Sequence, residues 1–494
     1  MNLEDLTFRR RFSQNNSRKL KLDCGEMNFE YDFTSEKRGS LHPVLESVGD
    51  VTETVRNGTY EAFSHKGGAK SRLIGQFFPY YTYSVKIEKL RSASVGISIL
   101  GESVSLSAML GFGKAKITLN GELLAEFPAE LNPCDIFEIT FRAGGISLYR
   151  KTCGKALLIG DLTADKSGKI EDLKTDGLFS LLSEQVYKKA NSALTVDISE
   201  GGTALLSEVS ASLYCGIAEA DIRPIKYEDG TPIAENGRVF LTASERLETG
   251  CYQSVLSWNP TTSDFKLEGA LFFDLGDGKA SNDVASSIVF DRRTGEWYIW
   301  FCAFSHGHVL ARARVKGDPR FGISVIDAVP MQIRDGADKK EFLGFFGDED
   351  PDLAFIDGKW NLTICRPEDD GYHYYRFVSD SPLDGFVFRD RTGGAEKTGG
   401  SFVKFENGYY FVCGSDFKKR SVYDVYKYDD FSNPSSLKIC HSDGGFRGWG
   451  SVFGIYVGTR KRYFFITFDR MLAAKNWNWS YGNLYAFMAD EYFS

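Results

Sequence analysis

The sequence predicts an all-β protein in two parts, an N-terminal β-sandwich over residues 1–205 and a five-bladed β-propeller over residues 206–494. Three observations carry this. The chain holds 50 Gly against 13 Pro, with 39 Phe and 24 Tyr, a composition suited to short aromatic strands joined by glycine turns. Its first part alternates apolar and polar residues with a period of two. From about residue 206 strand-opening segments recur five times at intervals of roughly 50–65 residues, the mark of a repeated unit. A length of 494 residues also favours two domains over one.

In the first part, alternation is clearest in Tyr81-Thr82-Tyr83-Ser84-Val85-Lys86-Ile87-Glu88, Val95–Ile99, Lys116–Leu119 and Glu138–Arg142. Asn120-Gly121 and Gly144-Gly145 supply turns between them. Antiparallel strands with one wet face predict a sandwich. The rhythm from Ala115 through Asn120-Gly121-Glu122-Leu123-Leu124 to Gly145-Ile146-Ser147-Leu148-Tyr149 resembles that of lectin-like, laminin-G-type jelly rolls. That resemblance implies a packing domain, with carbohydrate binding as the alternative. Residues 161–205, rich in Lys, Asp, Ser and Leu, are expected to hold a helix before the junction.

In the second part the five strand starts are Ala220-Asp221-Ile222, Asn282-Asp283-Val284, Asp350-Pro351-Asp352, Gly400-Ser401-Phe402 and Gly450-Ser451-Val452. An aromatic or apolar second strand follows each: Val239–Leu241, Trp297–Phe301, Trp360–Leu362, Tyr409–Val412 and Tyr463–Ile466. Five such units fit a radial array of four-stranded blades. No Gly-His or Trp-Asp dipeptide recurs to suggest WD repeats, and no set of repeated Asp-boxes suggests a six-bladed sialidase-type ring.

Net charge of -8 argues against nucleic acid or an anionic membrane as partner. Cys24, Cys134, Cys153, Cys215, Cys251, Cys302, Cys365, Cys413 and Cys440 are scattered without CxxC spacing. An odd, dispersed set reads as reduced thiols, not a disulfide frame or zinc site. His306, His308 and His373 have no zinc-ligand spacing either. The segment Met1–Arg11 lacks the apolar core of a signal peptide, and no apolar run reaches membrane-spanning length. A cytoplasmic location is expected, or secretion if a signal peptide has been removed.

The most informative stretch is Asp348-Glu349-Asp350-Pro351-Asp352-Leu353-Ala354-Phe355-Ile356-Asp357-Gly358-Lys359-Trp360-Asn361-Leu362-Thr363, followed by Ser379-Asp380-Ser381-Pro382-Leu383-Asp384-Gly385-Phe386. Acids open an apolar strand, Asp357-Gly358 turns it, a second strand answers, and a Ser/Pro/Gly loop closes the unit. This resembles one blade of the five-bladed propellers of glycoside hydrolase families 43 and 32. The resemblance implies cleavage of an oligosaccharide or glycoside by a carboxyl pair, one protonated and one ionised.

Carried over residue by residue, it makes Asp221 the general base, or the nucleophile of a retaining variant, although Asp-Pro here becomes Asp-Ile-Arg-Pro. Asp350 becomes the acid that tunes and orients, crowded by Asp348, Glu349 and Asp352, so that at least one of these like charges should bind its proton more tightly. Alternation would place Asp348, Asp350 and Asp352 on one face. The family's fourth-blade glutamate has no direct counterpart, since Thr398-Gly399-Gly400 stands there. Glu396 just upstream is taken as the proton donor, with Asp283, Asp416 and Asp469 as other candidates. Arg223, Asp283 and Asp469 are expected to bind substrate, with Trp449 and Trp479 as stacking walls. No cofactor or metal is required, though the resemblance leaves room for calcium in the channel. A non-catalytic sugar-binding propeller and a glycosyl or fructosyl transferase are the alternatives.

Overall fold

The computed structural model describes residues 2–14, 29–31, 33, 42–152, 155–163, 178, 180–213, 218–247, 250–406, 408–415, 422–440, 450–470 and 481–489. The chain divides into two compact units. One comprises residues 1–24, 215–277 and 281–494, and the other 25–214 with 278–280. The division differs from the expected boundary at 205 in one respect: residues 1–24 fall with the C-terminal unit. The reason is strand pairing, because Thr7–Gln14 bonds antiparallel to Tyr481–Ala489 and parallel to Lys438–Cys440.

Within residues 25–214 the strands form one hydrogen-bonded network of thirteen, where two separate sheets were expected. Two long strands run through it, Thr82–Leu100 and Asn191–Ser212, paired antiparallel from Asn191↔Leu100 to Ser212↔Thr82. Their alternation behaves as read: Tyr83, Val85, Ile87, Val95, Ile97 and Ile99 are all buried. Asn120 and Gly121 take φ of 51° and 83°, as a tight hairpin turn demands. The helix expected before the junction is a single turn, Glu184–Tyr187.

The other unit is a five-bladed propeller. The innermost strands of blades one to five are Ala218–Pro224, Val284–Asp291, Glu349–Ile356, Lys397–Phe405 and Ser451–Val457. Each overlaps a start read from the sequence, and each pairs with the aromatic strand named for it. In blade five the N-terminal strand Thr7–Gln14 supplies the fourth position outward. Blade two gains a parallel pair on its inner side, Lys226–Tyr227 against Val289 and Phe290.

Apolar side chains fill the spaces between blades, which is why nearly every strand in the ring carries aromatics. Phe240, Leu271 and Ile225 meet Ile288, Trp297 and Phe301 between blades one and two. Trp300 and Leu310 meet Leu353, Trp360 and Leu362 between two and three. Tyr374 and Ala354 meet Phe402 and Phe411 between three and four, and Val403 and Val412 meet Val452 and Phe465 between four and five. The ring closes where Trp258 of blade one packs edge-on against Phe464 at 5.1 Å and Phe453 at 6.4 Å of blade five.

The inner strands are joined by polar contacts centred on Asp352. Its Oδ1 accepts from Lys226 Nζ at 2.7 Å and Ser287 Oγ at 2.9 Å; its Oδ2 accepts from Lys226 Nζ at 2.6 Å and the Phe402 amide at 2.7 Å. Lys226 and Asp352 are both buried, 2% exposed each. Removing one member of such a pair strands the other charge. Asp352→Ala should therefore cost about 3–5 kcal/mol of folding stability, against about 1–3 kcal/mol for Ser287→Ala, which strands no charge but loses a neutral donor and the acceptor of the Leu353 amide. Urea unfolding of the two variants checks the order; equal, small losses would remove Asp352 from its central role.

Candidate functional site

The first strands of blades one to four share one irregularity. Two residues bulge against one on the partner: Asp221-Ile222, Ala285-Ser286, Asp350-Pro351 and Gly399-Gly400. In each bulge the first residue is left-handed, with φ of 52° at Asp221, 59° at Ala285, 48° at Asp350 and 60° at Gly399. Such a bulge re-aims a side chain and ends regular pairing. Asp tolerates this backbone better than most residues and glycine adopts it freely, whereas Ala285 is strained.

In blades two to four the amides freed by the bulges are bonded by the preceding blade. Ser244 Oγ takes the Ala285 amide at 3.1 Å and Gln253 Oε1 the Ser286 amide at 3.0 Å. Cys302 Sγ takes the Asp350 amide at 3.3 Å. Asp350 Oδ2 takes the Gly399 amide at 2.9 Å, and the Tyr374 hydroxyl takes that of Gly400. Buried backbone groups need such partners, so the bulges are fixed features of the ring.

Asp350 is thereby tied on both sides. Beyond the Gly399 amide, Oδ2 accepts from Thr398 Oγ1 at 2.8 Å, and Oδ1 lies 3.2 Å from Arg223 Nη2. Arg223, expected to meet substrate, is drawn inward, buried, and donates through Nη1 to the Pro351 carbonyl at 2.6 Å. It crosses from blade one to blade three and fixes the two bulges to each other. Asp221 is nearly buried, 9% exposed.

The bulge also breaks the alternation expected of the acidic run. Asp352 goes to Lys226. Asp348 precedes the strand, and its carboxylate lies 3.2 and 3.3 Å from Arg366 Nε. Arg366 itself binds the carbonyls of Lys339, Glu341 and Leu343, pinning the long segment that leads into blade three. Burial pushes Asp348 up to about 6 despite that arginine. Glu349 receives His308 Nε2 at 2.9 Å, the two side chains being 28% and 24% exposed. Its proton affinity is raised, first by burial and then by the negative charges of Asp350 and Asp221, against the opposing His308 bond. The expectation that crowded acids hold a proton thus falls on Glu349. His308, in the tight Ser305-His306-Gly307-His308 hairpin of blade two, carried no distinguishing signal in the sequence.

Among the described residues Glu396 forms no hydrogen bond with this group, and its Oε2 is buried without a partner. It is left-handed, φ 61°, and packs on Gly371 at the blade-three hairpin, where an added Cβ would lie 3.2 Å from its carboxyl carbon. Asp283 turns to Ser305, accepting from its amide at 2.9 Å and its hydroxyl at 2.7 Å. Trp449, Trp479 and Asp416 lie outside the described residues, as does the side chain of Asp469. Among the described residues, Glu368, Asp370 and His373 bring potential ligand atoms within 4.8 Å of one another. These atoms already serve the protein: Glu368 Oε1 takes Tyr375 and, at 2.7 Å, Arg391, while Asp370 Oδ1 lies 2.9 Å from His373 Nε2.

The fold and its inner-strand acids define a five-bladed propeller with carboxylates from blades one and three gathered at one end of the ring. No family model matches the chain, and no curated protein does. It is similar to solved glycoside hydrolases. One is a family 117 enzyme produced by the marine bacterium Zobellia galactanivorans, at 14% identity and TM-score 0.38 over 55% of this chain and 84% of that one. Another is a family 43 enzyme of Xanthomonas citri, at 13% identity and TM-score 0.36 over 54% and 90%. A third is the catalytic domain of the family 62 α-L-arabinofuranosidase of Coprinopsis cinerea, at 13% identity and TM-score 0.33 over 53% and 92%.

Burial pushes the Asp283 carboxyl up to about 6, against the Ser305 hydrogen bonds. The folded state then holds a proton that the unfolded chain releases near pH 4. This contribution is complete below about pH 4 and is lost as pH rises through about 6, by on the order of 2–3 kcal/mol. Asp283→Asn, whose oxygen still accepts from the Ser305 amide and whose Nδ2 donates to the Ser305 hydroxyl in a reversed bond, should match the parent at pH 4 yet exceed it in stability at pH 7.5. Urea midpoints at the two pH values test this.

Proposed function

We propose that the protein is a glycoside hydrolase acting on an oligosaccharide or glycoside at the end of the ring where the inner strands begin. The observation that supports this reading best is the pair of aspartates, Asp221 and Asp350, in equivalent left-handed bulges of blades one and three. Buried acids set in matching left-handed bulges are arrangements a fold keeps for chemistry. In this reading Asp221 is the ionised carboxylate that takes the proton of the attacking water. Asp350, fastened by Thr398, Gly399 and Arg223, orients the sugar and holds negative charge close to the reacting centre. Hydrolysis by two carboxyl groups in opposite protonation states gives a bell-shaped pH dependence of kcat/KM.

A second reading, a sugar-binding propeller without turnover, is favoured by one observation. Thr398, Gly399 and Gly400 offer no carboxylate where the resembling families carry their glutamate. A panel of aryl glycosides and oligosaccharides separates the two. Hydrolysis should be measurable, and Asp221→Ala should lower it by at least ~10²-fold while oligosaccharide binding by calorimetry persists. Binding with no turnover by the parent protein would establish the second reading instead.

A further inference from the structure

The glycosidase reading leaves the proton donor without a residue in blade four, and the repetition of the bulge indicates where to look. The residue before the left-handed position is Ala220 in blade one, Val284 in blade two, Glu349 in blade three and Thr398 in blade four. Thr398 is committed to Asp350 through its hydroxyl. Glu349 occupies the same place one blade earlier and is the carboxylic acid of that set.

Resting on the glycosidase reading, we propose that Glu349, positioned by His308, is the proton donor to the leaving-group oxygen. Several observations converge on it. Its side chain is partly exposed, where those of Asp348 and Asp352 are sealed and paired. His308 engages Oε1 only, and among the described residues Oε2 has no bond to another side chain. His308 is itself fixed between Phe304 and Phe346, ring centroids 4.6 and 5.5 Å away. These two phenylalanines are 44% and 72% exposed. Their apolar faces flank the pair, and a ring on the leaving-group side of the bond would cover them. The groups facing Glu349 are Asp350 on its own strand, Asp221 from blade one, His308 and Cys302 from blade two, and Tyr372 and Cys365 of blade three. Their net effect, with burial, favours the protonated acid.

The step balances without any further reactant. Glu349 gives its proton to the glycosidic oxygen as the bond from that oxygen to the anomeric carbon breaks, and the bonding pair leaves with the oxygen. Water adds through its oxygen to the anomeric carbon and yields a proton to Asp221. Solvent then returns the proton to Glu349 and removes one from Asp221.

The test compares leaving groups. On a panel of glycosides prepared both as 2,4-dinitrophenyl and as phenyl derivatives, Glu349→Gln should lose ~10²-fold or more on the phenyl series. It should retain most activity on the dinitrophenyl series, whose leaving group departs without a proton. The basic limb of the kcat/KM profile should vanish in Glu349→Gln and persist in Glu349→Asp, which keeps an acid and guards against a folding defect in one variant. Equal losses on both series, with the basic limb intact, would overturn the proposal. So would the same leaving-group pattern in Glu396→Gln, which would assign the donor to Glu396. A parent protein inactive on every dinitrophenyl glycoside would overturn the glycosidase reading itself, a result distinct from failure at Glu349 alone.

Discussion

The carboxylate of Asp352 is where the ring is held together. A propeller has no apolar core on its axis; its inner strands approach one another edge to edge, and something polar must join them. Asp352, on blade three, takes four bonds from Lys226 and Ser287 on the blade-two sheet and from the amide of Phe402 on blade four. Two opposite charges this far from water repay their desolvation only when the remaining hydrogen-bonding capacity is used, and here three groups on different strands supply the four bonds. Burial lowers the proton affinity of Lys226, while the facing aspartate works to keep it charged. The inner strands of blades two, three and four meet at this junction, and the bulges of those three blades lie beside it.

The bulges turn one backbone shape into four different surfaces. With the left-handed turn constant, the residue in it decides what the blade presents: Asp in blades one and three, Ala in two, Gly in four. The preceding position varies too, and in blade three it adds Glu349. The bulge carboxylates thereby stand on blades one and three, with Arg223 as the tie between them and the blade-four bulge serving Asp350 as a donor.

Much of this was legible from the sequence, for a physical reason. Blade starts and second strands show as short apolar or aromatic runs because each blade must bury both of its faces. Asp221 and Asp350 stood out as acids at strand starts, Asp350 through the following proline. The bulge did not show, since period-two reasoning puts Asp348, Asp350 and Asp352 on one face whereas in the structure they go to Arg366, to Arg223 with the blade-four bulge, and to Lys226. The Glu349–His308 contact was hidden for another reason: the two lie 41 residues apart on different blades, and nothing local marks His308. Arg223 was expected to meet substrate because its partner, the Pro351 carbonyl, is distant in sequence. The N-terminal strand was assigned to the wrong unit because pairing between residues 7–14 and 481–489 leaves no local trace.

That last pairing has a consequence for how the chain must be made. Blade five joins strands from opposite ends of the sequence, so the ring cannot close until nearly all of it exists. Until then Thr7–Gln14 waits as an unmatched strand, and blades one and four have no neighbour on their outer flanks. Closure over so long a span costs little more entropy than over half of it, since the penalty grows only with the logarithm of length. This is why a whole second unit fits between residues 24 and 215. The cost is in time: pairings so distant form slowly, and open strand edges invite other chains meanwhile. Assembly of this protein is therefore most exposed to chaperones and to aggregation at its final step.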